Sequence, residues 1–508
     1  MRKPLLSVGL VALLVGACGS ANNAASPGPR VAPPPPAHHG ATQAPDQPPA
    51  TPYDGVTFED PGVNPFIDPR EDNQSTFALD VDTASYTVAR RYISDGNLPD
   101  PASVRVEEFV NYFDQGYEAP EDGTFAIHVD GGPSPFLAGD ETLVRVGLKA
   151  REATDRGRPS ASLTFVIDVS GSMAREDRLE LVKQSLALLV EGLRRDDTVG
   201  IVVYGSDARV VLPPTSGRDA GAILDVIESL QPEGSTNAQA GLRLGYEMAR
   251  AQLRDEGINR VVLASDGVAN VGATDAETIL RDIRHDAEAG IQLVSVGFGM
   301  GNFNDALLEQ LADDGDGFYA YVDDLEEARR LFVEDLTGTL QSVALDARVR
   351  VEFSTDAVEA YRLVGFENRA IDDRDFRNDE VDAGAIGAGH SVTALYALRL
   401  SGEGGDQGRI GTIGLRWSDP VSRRADELAL DIRLSDIVGS FRASNPTFKL
   451  DAIVAATAER FRGSRWGDTY RLRDVAEVAD QISGSLPQTQ DVHDFLELLR
   501  KAADLERR

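Results

Sequence analysis

Between Ser162 and about Leu340, short apolar runs alternate with stretches of helical period. The runs are LTFVID (Leu163–Asp168), TVGIVVYG (Thr198–Gly205), ARVVLPP (Ala208–Pro214), NRVVLASD (Asn259–Asp266), IQLVSVGFG (Ile291–Gly299) and GFYAYVD (Gly317–Asp323). Amphipathic spacing between them predicts helices over Arg178–Leu193, Ala220–Leu230, Ala238–Glu256, Asp275–Ala289, Asn304–Ala312 and Leu325–Leu340. Strands apolar on both faces must be covered on both faces. The alternation therefore predicts an α/β domain: a doubly wound, mostly parallel sheet with helices on each side.

The flanks follow a different pattern. Thr76–Phe113 reads as a short strand and two helices, the first carrying Tyr86, Ala89 and Ile93, the second Val106, Phe109, Val110 and Phe113. Asp80-Val-Asp82-Thr83 superficially resembles the Asp-x-Asp of haloacid-dehalogenase phosphatases. Ala84 stands where that motif wants Thr or Val, so Asp82 or Thr83 reads as a helix cap. TFAIHVDGG and TLVRVGLKA, within 124–150, alternate as strands. So do ARVRVEFS, AYRLVGF, SVTALYALRL, RIGTIGLRWSD and LALDIRLSD after Leu340. Three helices close the chain: FKLDAIVAATAERFR, DVAEVADQI and DVHDFLELLRKAADL. The expected segments are a leader (1–18), a tether (19–60), an N-terminal helical segment (70–122) and β strands (123–160). The α/β domain (161–340), a C-terminal β domain (341–440) and C-terminal helices (445–508) follow. The central domain is expected to be inserted into, or packed beside, a β-sandwich built from both flanks.

Composition changes the picture mainly at the N-terminus. Arg2 and Lys3 precede an apolar Leu5–Val15, and then comes VGAC, ending in Cys18. This is the pattern of a secretory signal. The small residues before the cysteine resemble the bacterial lipobox, in which Cys18 is lipidated and becomes the mature N-terminus. Cys18 is the only cysteine in the chain, which also leaves no disulfide or thiolate metal site. No later stretch approaches the ~20 apolar residues of a membrane-spanning helix. Residues 19–60, with VAPPPPAHHG at Val31–Gly40, favour extended polyproline II over a core, and His38 and His39 read as incidental. A protein lipid-anchored to the cell envelope is expected. Gly19, where an acid would favour inner-membrane retention, points to the outer membrane of a diderm; otherwise the place is the cell surface. The net charge of −33, from 83 acids and 50 bases, argues against a nucleic-acid partner.

Candidate chemistry lies at the strand ends. Asp168, Ser170 and Ser172 form Asp-x-Ser-x-Ser after the first strand of the central domain. In a parallel sheet, ligands bind beyond the carboxyl ends of the strands. Thr236, in PEGSTNAQAG, precedes a helix, and Asp266 ends VVLASD, so both should reach the same rim. Two carboxylates and three hydroxyls suit a hard cation, above all Mg²⁺, without distinguishing it from Mn²⁺ or Ca²⁺. Zn²⁺ would prefer imidazole or thiolate.

Asp-x-Ser-x-Ser, a later Thr and an Asp after a strand resemble the metal-ion-dependent adhesion site of von Willebrand factor type A (VWA) domains, whose fold is Rossmann-like. Asp168, Ser170, Ser172, Thr236 and Asp266 match every member in order. Thr76–Phe113, GSTNAQAGLRLGYEMA, GFGMGNFNDALLEQLADDGDGFYAYVDD and DEVDAGAIGAGHSVTALYAL are similar to a bacterial family of secreted or lipid-anchored VWA proteins. That family has its own N-terminal segment and C-terminal domain. The resemblance implies that Ser170 and Ser172 bind the ion directly and that Asp168 and Asp266 act largely through water. Thr236 binds directly or through water, depending on conformation. It also implies an open coordination position that a partner protein's Asp or Glu fills.

The resulting expectation is a non-enzymatic binding module for adhesion or envelope assembly. An envelope scaffold with a stabilising metal is one alternative. A metal-dependent hydrolase is another, because Mg²⁺ activates water. Against an enzyme, neither Ser170 nor Ser265 forms Gly-x-Ser-x-Gly, and no P-loop, HExxH or Cys–His pair appears. His390, in GAGHSVT, reads as the start of a strand after a glycine turn. ADDGDGF (Ala312–Phe318) lacks calcium-loop spacing and reads as a turn. Export would leave no ATP to serve an ATPase partner.

Overall fold

The computed structural model describes residues 53, 56 and 58–507, apart from 80–81, 153–157, 256, 268–275, 301–303, 335–337, 339–340, 379–382 and 403–407. The leader with Cys18, the tether to residue 50, and Asp80 lie outside the described residues. Among those described, no helix is long and apolar enough to cross a membrane.

The chain opens with β1 (Gln74–Ala78), α1 (Ala84–Ser94), α2 (Val106–Asn111), β2 (Phe125–Pro133) and β3 (Thr142–Ala150). The central domain comprises β4 (Ala161–Asp168), α3 (Arg178–Glu191), β5 (Thr198–Tyr204), β6 (Ala208–Ser216), α4 (Ala220–Ser229) and α5 (Ala238–Ala251). It continues through β7 (Ile258–Ser265), α6 (Ala276–Glu288), β8 (Gln292–Phe298), α7 (Asp305–Asp313), β9 (Phe318–Val322) and α8 (Leu325–Arg329). Next come β10 (Ser342–Phe353), β11 (Val358–Val364), β12 (Ala385–Gly387), β13 (Ser391–Leu400), β14 (Arg409–Ser418) and β15 (Ala425–Arg433). The chain closes with α9 (Pro446–Phe461), α10 (Leu472–Ile482) and α11 (Gln490–Leu505).

The central sheet has the order β6-β5-β4-β7-β8-β9 and is parallel except for the hairpin strand β6. Every residue of β4 and β7 is buried, as strands covered on both faces must be. Leu179, Val182 and Leu186 of α3, Ile223 of α4 and Ala328 of α8 cover one face. Leu242 and Tyr246 of α5, Ile283 of α6 and Leu308 of α7 cover the other. The strand order reverses between β4 and β7, which opens a crevice beyond their carboxyl ends.

Helix α1 carries two apolar stripes. Tyr86, Ala89 and Ile93 join the other helices, whereas Ala84, Val88 and Tyr92 pack on the central domain beside Tyr319 and Tyr321. Its entry segment also satisfies the free edge of β9. The Tyr319 N–H donates to Asp82 Oδ1 at 3.1 Å, and Thr87 Oγ1 donates to the Tyr321 carbonyl at 3.0 Å. The expected side-chain cap is therefore absent: Thr83 sits at the N-cap with no capping bond. Asp82 instead pairs with Arg369 at 2.8 Å. The expected helix Leu325–Leu340 is also revised, because α8 passes into a π-helical turn over Arg330–Glu334. That wider turn holds Arg330 over the Tyr112 ring, 4.0 Å from its centroid, while Phe332 stays in the core.

The flanking strands form two antiparallel sheets packed face to face. One has the order β1-β10-β14-β15, with β12 added beside β10; the other is β11-β13-β3-β2. Phe77, Val146, Val349, Tyr396 and Ile413 lie between them. Residues 123–160 and 341–440, separate along the sequence, thus share one sandwich, with β3 paired to β13. Helices from 70–122 and 445–508 likewise form one layer, with Phe109, Ile453, Phe461 and Phe495 in its core. This layer covers the outer face of β11-β13-β3. Arg145 of β3 meets Asp451 of α9 at 2.9 Å, and Arg362 of β11 meets Glu459 at 2.8 Å; all four side chains are buried.

The central domain leaves this framework and returns to it at one turn. The Ala150 N–H donates to the His390 carbonyl at 2.9 Å, and the Gly389 N–H donates to the Arg151 carbonyl at 2.9 Å. The Ala388 N–H donates to the Gln341 carbonyl at 2.8 Å.

Candidate metal centre

Strand register builds the floor of the site. Asp168 aligns with Tyr204 of β5 on one side, and the Ile167–Ala264 pairing sets Ser265 of β7 beside it on the other. Partners in a parallel ladder point to the same face, so an acid, a phenol and a hydroxyl meet at the carboxyl end of the sheet. The crevice between β4 and β7 then receives the Asp168–Ser172 loop and Asp266.

Hydrogen bonds join four of the five residues expected from the sequence. Ser170 Oγ lies 3.0 Å from Ser172 Oγ. Ser172 Oγ donates to Asp266 Oδ1 at 3.1 Å. The Ser170 N–H donates to Asp168 Oδ1 at 2.8 Å, and Ser265 Oγ donates to Asp168 Oδ2 at 3.1 Å. Asp168, Ser170 and Asp266 are buried, and Ser172 and Thr236 are half-buried. Thr236 arrives on a loop fixed to the first one: the Gly171 N–H donates to the Gly234 carbonyl at 3.1 Å. No side-chain hydrogen bond joins Thr236 to the other four among the described residues.

Three further residues shape the centre without belonging to the motif. Ser265 orients Asp168, and Arg178 Nη1 donates to Asp266 Oδ2 at 2.7 Å from the start of α3. Tyr204 places its buried hydroxyl beneath the site, beside Asp168 and Ser265. Burial, reinforced by the Asp168 charge, pushes that phenol far up, so it remains a donor. The signal for Tyr204 and Ser265 is their strand register opposite Asp168, which no local motif contains.

Burial pushes the Asp168 carboxyl up to about 6, and the neighbouring Asp266 charge adds to it, although hydrogen bonds from Ser170 and Ser265 oppose the shift. Two close carboxylates in a desolvated crevice carry a charge that a hard cation would relieve. The donors are all oxygens. The residues therefore fit a divalent cation such as Mg²⁺. Hydroxyls supply more than half of the set; no group of three or more His, Cys, Asp or Glu forms a metal cluster among the described residues.

Comparisons with known proteins cover most of the described fold. Residues 162–336 match the model of the von Willebrand factor type A domain, and 53–145 match a von Willebrand factor model. Residues 338–505 match the C-terminal region of the uncharacterized protein YfbK. YfbK of Escherichia coli K12 is 34% identical over 450 residues, spanning 84% of this chain and 77% of its own. The uncharacterized protein sll0103 of Synechocystis sp. is 26% identical over 292 residues, 56% of this chain and 68% of its own. A solved von Willebrand factor type A protein from Catenulispora acidiphila aligns over 76% of this chain and 91% of its own. Its TM-score is 0.46 and its sequence identity 16%. The 34% identity to YfbK across most of both chains, with family matches running in order along the sequence, decides the matter: the chain belongs to the YfbK family of bacterial proteins built around a von Willebrand factor type A domain.

Proposed function

We propose that this protein is a binding module that recognises a protein ligand through a divalent cation held by Asp168, Ser170, Ser172, Thr236 and Asp266. The observation that carries the reading is the hydrogen-bonded chain Ser170–Ser172–Asp266 beside the buried Asp168, drawn from loops on both sides of the strand-order reversal. When bound, Mg²⁺ supplies a concentrated positive charge with an open position that suits the carboxylate of a partner's Asp or Glu. Asp168 and Asp266 provide the balancing charge, and the three hydroxyls provide neutral oxygens.

Cys18, after the apolar leader, would carry a lipid, and the proline-rich tether would hold the folded part away from the bilayer. The place of action is then the outer membrane of a diderm or the cell surface of a single-membrane organism. Adhesion or assembly of an envelope complex is the corresponding role, and no enzymatic step is assigned.

The test is capture from the organism's envelope fraction with the protein as bait, in Mg²⁺, in EDTA, and with Asp266→Ala in Mg²⁺. A partner retained only by the native protein in Mg²⁺ supports the reading. Capture indifferent to chelator and substitution would move recognition to the flanking layers and make the centre a structural element.

A further inference from the structure

Chain segments cross the edges of the sandwich at β1, β11 and β2. Beside β1, the Ile371 N–H donates to the Thr76 carbonyl at 3.0 Å. Beside β11, the Ile67 N–H donates to the Tyr361 carbonyl at 2.8 Å and receives the Tyr361 N–H in return at 3.0 Å. Beside β2, the Val438 N–H donates to the Gly131 carbonyl at 2.9 Å. The remaining edge is β15, which pairs only with β14. Among the described residues no backbone hydrogen bond reaches its outer side between Ala425 and Ile432.

Register shows what this edge presents. Leu428 and Leu430 align with Leu415 and Ile413, which are fully buried, so both leucines face the sandwich interior. At the edge they are nevertheless 36% and 40% exposed. The Glu427 N–H donates to Asp426 Oδ1 at 3.0 Å, and the Arg433 N–H donates to Asp436 Oδ2 at 2.8 Å. These amides point away from β14, and by the alternation of an antiparallel ladder so do those of Ala429 and Asp431. Nearby acids thus occupy the outward amides of Glu427 and Arg433 and leave those of Ala429 and Asp431 open. An open edge of this kind is a template for another strand.

We propose that the occupant is a second copy of this chain, paired β15 to β15, antiparallel, about a two-fold axis at Leu430. A two-fold perpendicular to the sheet keeps both inner faces on one side, so inward residues meet inward ones. With the axis at Leu430, Ala429 and Asp431 exchange backbone bonds with each other on both sides of the axis. Glu427 then faces the copy's Arg433, Leu428 faces Ile432, and Leu430 faces its own counterpart. The neighbouring registers fit worse. An axis at Ala429 sets Glu427 against Asp431, acid on acid, and an axis at Leu428 sets the inward Asp426 against Leu430. The net charge of −33 opposes association at long range, but physiological salt screens that repulsion beyond about 8 Å, so the contacts at the edge decide.

The test is the molar mass of the full chain by light scattering from about 1 to about 100 µM, with Cys18→Ser throughout so that no lipid drives association. Without further substitution the chain should approach twice the mass of a single copy. Ala429→Pro removes an outward amide without touching the bonds to β14, and should keep the single-copy mass throughout. Glu427→Arg and Arg433→Glu should each weaken the dimer at least about tenfold, because like charges then face one another on both sides of the axis. Both substitutions in one chain restore opposite charges and should return the affinity to within about threefold of the starting value. If Ala429→Pro does not fold, the charge reversals carry the test. A single-copy mass at every concentration overturns the dimer. A dimer that Ala429→Pro and both reversals leave unchanged also overturns it, since another surface would then hold the copies together. Reversals that the combination fails to rescue overturn the Leu430 register.

Discussion

Asp168→Asn should stabilise the central domain when metal is absent and lose most or all of that advantage over the wild type when metal is present. The carboxyl is displaced from its ordinary 3.8 to about 6, chiefly by burial. That displacement corresponds to about 3 kcal/mol favouring the protonated form. A carboxyl whose folded-state value lies above its unfolded value favours the folded state at low pH. The contribution is complete below about pH 3.8 and is lost as the pH rises to about 6. At pH 7 the wild type therefore buries a charge that Asn does not carry. Asn keeps the acceptor for the Ser170 N–H, and its amide group donates to Ser265 Oγ, which turns its own proton to the Gly267 carbonyl. In chelator at pH 7, Asp168→Asn should gain about 1–3 kcal/mol, and the gain should vanish near pH 4. With Mg²⁺ at about a hundred times its dissociation constant, the wild type should recover about 2.7 kcal/mol, which the variant lacks. Both tryptophans, Trp417 and Trp466, lie outside the central domain. Amide hydrogen exchange across β4 and β7 is therefore the assay. Equal loss of protection in the variant at pH 4 and pH 7 in chelator would refute the reasoning.

Three further outcomes are expected. Gly205→Ala places a Cβ 2.4 Å from the Glu233 carbonyl oxygen, so it should displace the loop leading to Thr236 and weaken Mn²⁺ binding about tenfold; unchanged affinity by titration would count against that loop. Asp451→Ala removes the fully buried carboxylate partner of Arg145 and should cost about 3 kcal/mol, read by urea unfolding through Trp466; a loss under about 1 kcal/mol would mean that Asp130 alone satisfies the arginine. Asp82→Ala strips the acceptor from the Tyr319 amide and one of the acidic partners from Arg369, and should accelerate hydrogen exchange at Tyr319 while leaving β4 protected.

The central domain was legible because its signal is local. Short continuous apolar runs alternate with helical stretches, and the acids and hydroxyls stand directly at the strand ends. Arg178 was opaque because a basic residue opening a helix reads as solvent-facing; its bond to the buried Asp266 shows that the guanidinium turns inward. Tyr204 looks like any apolar residue ending a strand until register sets it beside Asp168. The second stripe of α1 was missed for a related reason. Ala84 is small and Tyr92 amphipathic, so the stronger stripe of Tyr86, Ala89 and Ile93 dominates the period. Strand partners such as β1 with β10, or β3 with β13, are chosen by topology across long separations, and no local alternation names them.

The single turn at Ala388–His390, where residues 151 and 341 both fasten, bears on the order in which the molecule assembles. During synthesis from the N-terminus, β1–β3 emerge before any of their partners in β10–β15 exist. Were the intervening chain still unfolded, closing the sandwich would require an entropic loss that grows with the logarithm of the loop length. Once the central sheet has formed from its mostly sequential strands, its two ends are already neighbours, and the loop shrinks to the width of a folded body. The central domain would then also act as the clasp that brings early and late strands into register. Lesions deep in its sheet should appear first as misassembly of the flanks.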